Sequence, residues 1–285
     1  MFQYAYARSL KEKGFDVKLD VNNVPDIGFQ LRHYDIDIDI ANRNDMVKYK
    51  INGIWPKIQT RLGNVNSNIL NEETVFYDQN LLSPSDGLYI CGYFQSHKYF
   101  LNIQDLLISQ LSINSKISKY TKTIKKEIEE HSECCSVHVR RGDYFTNKNK
   151  KIYGTCTLGY YERAIDVIRR KKSNTRFFIF SDDIQWVRKN IRIDNAAYVY
   201  SDEKRLPHED IYLMSLCDHN IIANSSFSWW GAWLNRNKYK IVIAPKLWLL
   251  DKKMNELSQF LIPIDWQRLE NADNIINQNS VNNLF

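Results

Sequence analysis

The chain has 285 residues, of which 44% are hydrophobic and 25% are charged, and its formal net charge is +6. That length and apolar content suffice for the hydrophobic cores of one large domain or two ordinary ones. The positive charge suits an anionic substrate or an acidic membrane surface, but it is too small and too dispersed to indicate a nucleic-acid binder.

The amino-terminal half is predicted to contain few regular elements. Apolar residues at positions 2, 6 and 10 are spaced as on one face of a helix, and β-prone residues follow. Asparagine and aspartate then dominate an irregular stretch, before a second strand and a long polar helix. The predicted elements are a helix over 2–13, a strand over 15–20, an irregular segment over 21–75, a strand over 89–93 and a helix over 110–131.

From residue 136 onward, predicted strands and helices alternate regularly. The predicted strands cover 136–140, 176–181, 196–200, 220–223 and 240–244, and the predicted helices cover 158–171, 183–191, 209–216 and 228–235. Strands that alternate with helices of this length are typical of parallel βαβ units. The second half is therefore expected to be an α/β domain with a doubly wound parallel sheet.

We place the domain boundary at the end of the long polar helix. This gives a first domain over 1–131, a second domain over 132–270 and an asparagine-rich tail over 271–285. The five cysteines include no Cys-x-x-Cys pair, which predicts a reducing compartment where they act as small apolar residues. Because the sequence has no run of about 18 apolar residues and no secretory signal at its start, a soluble, cytoplasmic protein is expected.

Three polar segments follow predicted strands of the second domain. They are His138–Asp143, Ser181–Asp183 and Asn224–Gly231. The carboxyl ends of parallel strands lie along one edge of a sheet, where ligands bind, so we expect these segments to surround one ligand. The adjacent guanidinium groups of Arg140 and Arg141 suit a phosphate or diphosphate, although surface ion pairs would also explain them.

The third of these segments lies where a strand gives way to a helix. Hydroxyl groups and unpaired N–H groups at a helix amino end form an anion site, while ordinary N-capping is the alternative for any single serine. The candidate site residues of this segment are Asn224, Ser225, Ser226, Phe227 and Ser228.

Several acidic residues have both a structural and a functional interpretation. Asp182 either caps the following helix or accepts hydrogen bonds from a nucleotide base or ribose. Asp210 lies in the first turn of a predicted helix, where it either interacts with the helix dipole or belongs to the site. The alternation of Asp and Ile over 35–39 is interpreted as a half-exposed strand and not as a metal site.

Read with these motifs, the sequence resembles the α-1,2-fucosyltransferases of glycosyltransferase family 11 over most of its length. The resemblance rests on four stretches, of which the second and fourth together are highly specific. They are residues 1–8 (Met-Phe-Gln-Tyr-Ala-Tyr-Ala-Arg), 138–144 (His-Val-Arg-Arg-Gly-Asp-Tyr), 180–183 (Phe-Ser-Asp-Asp) with Trp186, and 224–233 (Asn-Ser-Ser-Phe-Ser-Trp-Trp-Gly-Ala-Trp).

The resemblance implies a GT-B architecture, in which two Rossmann-like domains face each other across a cleft. It implies transfer of L-fucose from GDP-β-L-fucose to the 2-hydroxyl of a galactoside, with inversion and without a metal or other cofactor. The second domain would hold the GDP-sugar donor, and the first would hold the acceptor, a galactose-containing oligosaccharide or a lipid-linked glycan. Peripheral contact with the inner membrane surface is compatible with such an acceptor.

In such a reaction negative charge grows on the departing GDP, and a fixed cation has to stabilise it. We assign Arg140 to the β-phosphate, and Asp143 is the candidate general base, with a salt bridge to the arginines as its alternative. His138 is expected to contact the guanosine or a phosphate. Arg141 either joins the donor site or braces the loop through carboxylates.

The sequence departs from the family pattern at its amino terminus. Family members have a strand and a glycine-rich turn before Met-Phe-Gln-Tyr, whereas this sequence opens at Met1. If the strand and turn are absent, activity is in question. An inactive nucleotide- or glycan-binding protein is therefore an alternative to the fucosyltransferase, and transfer of another nucleotide-linked sugar is a second one.

Overall fold

The chain forms two compact units. The first consists of Met1–Ser115 with Glu256–Pro263, and the second consists of Lys116–Asn255 with the segment from Ile264 onward. A computed structural model describes residues 1–22, 28–47, 49, 68–72, 77–113, 115–142, 152–200 and 206–272.

The first unit contains a buried helix and short parallel strand pairs. Its described helices and strands are α1 (Phe2–Glu12), β1 (Lys18–Leu19), β2 (Asp39–Ile40), α2 (Arg43–Val47), β3 (Ile69–Asn71), β4 (Tyr89–Cys91) and α3 (Gln104–Gln110). Strand β1 pairs with β2 and strand β3 with β4, both in parallel. Helix α1 is buried along most of its length, and its Tyr6 ring stacks on Phe94 at 4.2 Å between centroids.

The second unit repeats the strand–helix pattern that the sequence predicts. Its described helices and strands are α4 (Lys119–Glu130), β5 (Cys134–Val139), α5 (Leu158–Lys171), β6 (Arg176–Ser181), α6 (Ile184–Asn190), β7 (Ala196–Val199), α7 (Pro207–Leu216), β8 (His219–Ile221), α8 (Ser226–Trp233), β9 (Val242–Pro245) and β10 (Gln267–Leu269), and the unit boundary after Asn255 falls within a further helix, α9 (Lys252–Leu257). The alternation of strands and helices along this unit agrees with the predicted α/β class.

The six strands of the second unit form one parallel sheet in the order β10-β9-β8-β5-β6-β7. From β5 the chain moves outward through β6 to β7, and it then returns to the other side of β5 to build β8, β9 and β10. This is the strand order of a Rossmann fold. The direction of winding changes between β5 and β8, and the crevice at that switch point is where such sheets bind ligands.

Apolar side chains of the sheet and helices form the core of the second unit. Val137 and Val139 of β5 are buried on the face that packs against α5, together with Tyr160, Tyr161 and the aliphatic residues of that helix. The Tyr161 hydroxyl donates a hydrogen bond to the His138 carbonyl oxygen at 3.2 Å. Helix α5 therefore fixes the carboxyl end of β5, from which the predicted cations project.

The structure corrects several predicted elements. The helix expected over 110–131 is shorter than predicted and covers only Lys119–Glu130, because the chain leaves α3 at Leu111 and Ser118 caps α4 by accepting from Thr121 N–H. Helix α4, expected to end the first domain, belongs to the second compact unit, where Glu209 of α7 accepts hydrogen bonds from Ser118 and Thr121. The last strand, β10, is absent from the prediction because it has only three residues.

Within the described part of the chain, no helix has both the length and the apolar character needed to span a bilayer.

The Rossmann-like sheet agrees with the predicted architecture of the second domain. The GT-B arrangement of two facing domains stays a prediction.

Candidate functional site

The sheet brings the three predicted polar segments to neighbouring strands. Strand β5 pairs with β6 on one side and with β8 on the other, all in parallel. Arg140 directly follows β5, Asp182 directly follows β6, and Asn224 and Ser225 lie just beyond β8. The carboxyl ends of β5 and β8 flank the switch point, so the candidate site occupies the usual ligand position of this fold.

Arg140 and Asp182 form an ion pair at this edge. The Arg140 Nη1 atom lies 3.0 Å from Asp182 Oδ2, and the two side chains keep 28% and 25% of their surface exposed. The other oxygen, Asp182 Oδ1, accepts a hydrogen bond from the Arg141 backbone N–H at 2.9 Å. Both oxygens of the carboxylate therefore contact the loop that carries the arginines.

Arg141 makes a different set of contacts. Its Nε donates to Asp183 Oδ2 at 3.3 Å, and the centre of its guanidinium lies 3.3 Å from the centroid of the Trp186 ring. Asp183, and not Asp182, caps α6 by accepting a hydrogen bond from the Trp186 N–H. The loop-bracing interpretation of Arg141 agrees with this geometry, and a direct role in donor binding stays a prediction.

His138 is enclosed between β5 and the start of α8. His138 is only 3% exposed, and the centroid of its ring lies 5.5 Å from that of the Phe227 ring. Burial, reinforced by the positive charge of Arg140, lowers the pKa of His138 to about 3, so the ring is neutral at pH 7. The Nδ1 atom is buried and has no hydrogen-bond partner among the described residues.

The serines at the start of α8 differ in the hydrogen bonds and the exposure of their hydroxyl groups. Ser225 is the N-cap, and its Oγ accepts a hydrogen bond from Phe227 N–H at 3.4 Å. Ser228 is fully buried, and its Oγ donates to the Ser225 carbonyl oxygen at 3.3 Å. Ser226 is exposed. Ordinary capping therefore explains Ser225, and the hydroxyl that a ligand can reach in this turn is that of Ser226.

Asn224 acts as a link between two loops. Its Nδ2 donates to the carbonyl oxygens of Tyr153 at 2.9 Å and Trp248 at 3.2 Å, and the residue is 1% exposed. The side chain thus ties the segment before α5 to the segment after β9. A direct contact with the donor, which the sequence also suggested, stays a prediction.

Asp210 and Asp143 complete the set of predicted residues. Asp210 lies half-buried in the first turn of α7, next to Glu209. Burial raises the pKa of Glu209, but hydrogen bonds from Thr121 and Ser118 outweigh that effect and hold the pKa below its usual value. Asp143, the candidate general base, lies outside the described residues, as does Tyr144.

The Asp–Ile alternation has a structural explanation in the described residues. Asp37 accepts a hydrogen bond from Lys11 Nζ at 2.7 Å and lies 3.4 Å from the buried Arg8 guanidinium. Only Asp39–Ile40 of this stretch is a strand, so the expected strand is shorter than predicted. No group of three metal-ligating side chains occurs in the part of the chain that the structure describes.

The sequence analysis gave no separate role to two residues that lie against this cluster, Trp186 and Gly142. Trp186 entered only through the resemblance, yet it stacks on Arg141. Gly142 lies so close to Asp182 that a Cβ atom there would be 2.7 Å from Asp182 Oδ2. The glycine between the arginines and Asp143 was a signal for such a close approach.

The comparisons with known proteins agree on one family. The model of glycosyl transferase family 11 matches residues 56–270. Alpha-1,2-colitosyltransferase of Escherichia coli is 31% identical over 95% of this chain and 94% of its own length. The O-antigen biosynthesis glycosyltransferase WbnK of Escherichia coli is 34% identical over 64% of this chain and 62% of its own length. Galactoside 2-alpha-L-fucosyltransferase Sec1 of Mus musculus is 27% identical over 53% of this chain and 43% of its own length.

Proposed function

Because the chain belongs to glycosyl transferase family 11, we propose that it transfers a deoxyhexose from a GDP-sugar to the 2-hydroxyl of a galactoside. The donor of first choice is GDP-β-L-fucose. The observation that carries the proposal is the position of Arg140, at the carboxyl end of β5 beside the switch point of a Rossmann-like sheet. A fixed guanidinium at that point suits the diphosphate of a nucleotide sugar.

The proposed reaction is a single displacement that inverts the anomeric carbon. The acceptor hydroxyl attacks the fucosyl carbon, the bond to the β-phosphate oxygen breaks, and the negative charge that develops stays on GDP. Arg140 stabilises that charge, and the exposed Ser226 at the amino end of α8 lies next to the same crevice. Charge neutralisation is thereby assigned to the protein's own cation, which is the basis for proposing a metal-independent reaction.

His138 was expected to contact either the guanosine or a phosphate, and its surroundings favour the guanosine. A phosphate would be served best by a charged imidazolium, but the pKa of His138 is about 3 because the ring is buried. A neutral ring with an unpaired nitrogen suits a hydrogen bond with the guanosine. We therefore assign His138 to the nucleoside, and Asp143 remains the proposed general base for the acceptor hydroxyl.

Colitose is the second candidate sugar, because the relative that aligns along 95% of this chain is an alpha-1,2-colitosyltransferase. Colitose is L-fucose without its 3-hydroxyl, so the same diphosphate site and inversion apply to both. The two donors differ only in contacts to one hydroxyl group. A site that hydrogen-bonds that hydroxyl would reject the deoxy sugar strongly, whereas an apolar pocket would discriminate weakly.

The experiment is a donor and acceptor panel with the purified chain. GDP-L-fucose and GDP-colitose are each offered with β-galactosides, with and without EDTA, and the linkage and anomeric configuration of the product are read by NMR. An α-1,2-linked product that forms equally well with EDTA supports the proposal. Transfer with neither donor, together with GDP binding, would instead favour the inactive binding protein. The absence of both transfer and GDP binding would overturn the proposal.

A further inference from the structure

We propose that Asp182 and Trp186 are positioning residues that fix the two neighbouring guanidinium groups before a diphosphate is bound. The inference rests on the proposed function, because it concerns the same site. It differs from the sequence interpretation of Asp182, in which that carboxylate contacts the nucleotide base or ribose. It also gives a role to Trp186, whose side chain belongs to the adjacent helix α6.

The contacts of Asp182 divide between the backbone and the side chain of the arginine loop. Oδ1 accepts from the Arg141 N–H at 2.9 Å, and Oδ2 lies 3.0 Å from Arg140 Nη1. The carboxylate therefore sets both the path of the loop and the direction of the Arg140 side chain. A ligand contact would have to share oxygens that are already engaged, which makes positioning the simpler function.

Trp186 holds the second cation in a similar way. The centre of the Arg141 guanidinium lies over the indole, 3.3 Å from the ring centroid, which is well within the range of a cation–π contact. Asp183 Oδ2 accepts a hydrogen bond from Arg141 Nε at 3.3 Å, and Asp183, as the N-cap, fixes the turn of α6 that carries Trp186. Arg141 thus anchors the loop to α6, while Asp182 holds the guanidinium of the neighbouring Arg140.

The close approach of Gly142 supports the same interpretation. A Cβ atom at this position would lie 2.7 Å from Asp182 Oδ2 and 3.2 Å from its Cγ. The loop therefore packs directly on the carboxylate immediately after the two arginines. Since binding is stronger when the contacting groups are already ordered, fixing a long, flexible arginine in this way raises affinity for the diphosphate.

Three roles for Asp182 predict different effects of Asp182→Asn. If the carboxylate only competes with the ligand for Arg140, removing its charge will tighten the binding of both GDP and inorganic pyrophosphate. If it contacts the base or ribose, GDP binding will weaken and pyrophosphate binding will not. If it positions Arg140, both will weaken by the same factor, because the asparagine NH₂ group cannot accept from the guanidinium.

The test uses the purified chain with GDP-L-fucose or GDP-colitose, whichever the wild type transfers. Inhibition constants for GDP and pyrophosphate, and kcat and KM for the donor, are measured for Asp182→Asn, Trp186→Phe and Trp186→Leu. We expect Asp182→Asn and Trp186→Leu to weaken both inhibitors about tenfold and to lower kcat, since charge development on GDP also depends on Arg140. Trp186→Phe keeps an aromatic face for Arg141 and is expected to retain most of the activity.

Asp166→Asn is the matched control, because it removes an exposed carboxylate from α5 of the same unit. Wild-type constants in Asp182→Asn, or a loss confined to GDP, would overturn the inference while leaving the proposed function intact. Equal activity in Trp186→Leu and the wild type would overturn the part that concerns Trp186. A wild-type protein that transfers neither sugar would instead contradict the proposed function, and the inhibitor titrations by calorimetry would still separate the three roles.

Discussion

Replacing Arg140 with alanine is expected to lower the rate of transfer far more than the stability of the fold. The ion pair with Asp182 leaves 28% and 25% of the two side chains exposed, and such partly exposed pairs contribute at most about 1 kcal/mol to folding. The Arg141 N–H keeps its hydrogen bond to Asp182 Oδ1 in the variant. For a chain of this size, a loss of that magnitude lowers the melting temperature by about 2–4 °C.

The expected effect on catalysis is much larger. Removing one preorganised group that stabilises a developing negative charge costs about 3 kcal/mol, which corresponds to a decrease in kcat of about 10²-fold. Arg140→Lys retains the charge but not the paired N–H groups, so we expect an intermediate loss of about tenfold. Both variants keep the loop path set by Asp182, which limits secondary effects on the fold.

The assay combines steady-state transfer kinetics with thermal unfolding. Arg188→Ala is the control, because Arg188 is an exposed cation of α6 whose guanidinium lies 5.0 Å from the Tyr198 ring, away from the switch point. It tests whether loss of one positive charge anywhere in the unit lowers the rate. Wild-type kcat in Arg140→Ala, or an equal loss in Arg188→Ala, would refute the assignment of Arg140 to the leaving group.

Three further outcomes are expected. Gly142→Ala should lower kcat about tenfold by displacing the Asp182 carboxylate, and unchanged kinetics would show that the carboxylate moves freely. Asn224→Leu should destabilise the fold by about 2 kcal/mol, because two loop carbonyls lose their donor, as checked by chemical denaturation. Glu209→Gln should be less stable than the wild type at pH 7. The pKa of Glu209 is depressed, so its contribution is complete above about pH 4.5 and is lost as the pH falls through the folded pKa; a stability gap between the two proteins that does not narrow in acid would contradict this.

The elements of the second unit were the most predictable part of the fold. Helix α5 over Leu158–Lys171 and strand β6 over Arg176–Ser181 lie where the sequence predicts them. The helix has apolar residues at the spacing of a single buried face, and the strand is a short continuous apolar run that is buried on both faces. Their regular alternation was enough to predict a parallel sheet, and with it the edge on which the polar segments meet.

The first unit and the long polar helix were predictable only in part. Helix α1 follows its periodicity, but the described strands of this unit are two or three residues long, which is too short for a hydrophobic period to be recognised. The break between α3 and α4 depends on Ser118, which caps α4 and also contacts Glu209, 91 positions later in the chain. A contact of that range leaves no local pattern.

The candidate site shows where sequence patterns stop distinguishing roles. Asp182, Asn224 and Ser226 all follow strands at the ligand edge, so each satisfies the same positional criterion. The structure separates them by what their polar atoms already contact: Asp182 holds the arginine loop, Asn224 joins two loops, and Ser226 is exposed. An anion site built from flexible cations needs such fixed partners, since an unrestrained arginine loses side-chain entropy when it binds. Residues that hold the cations must therefore be as close to the ligand edge as residues that touch the ligand, and a pattern of residue types alone cannot tell the two groups apart.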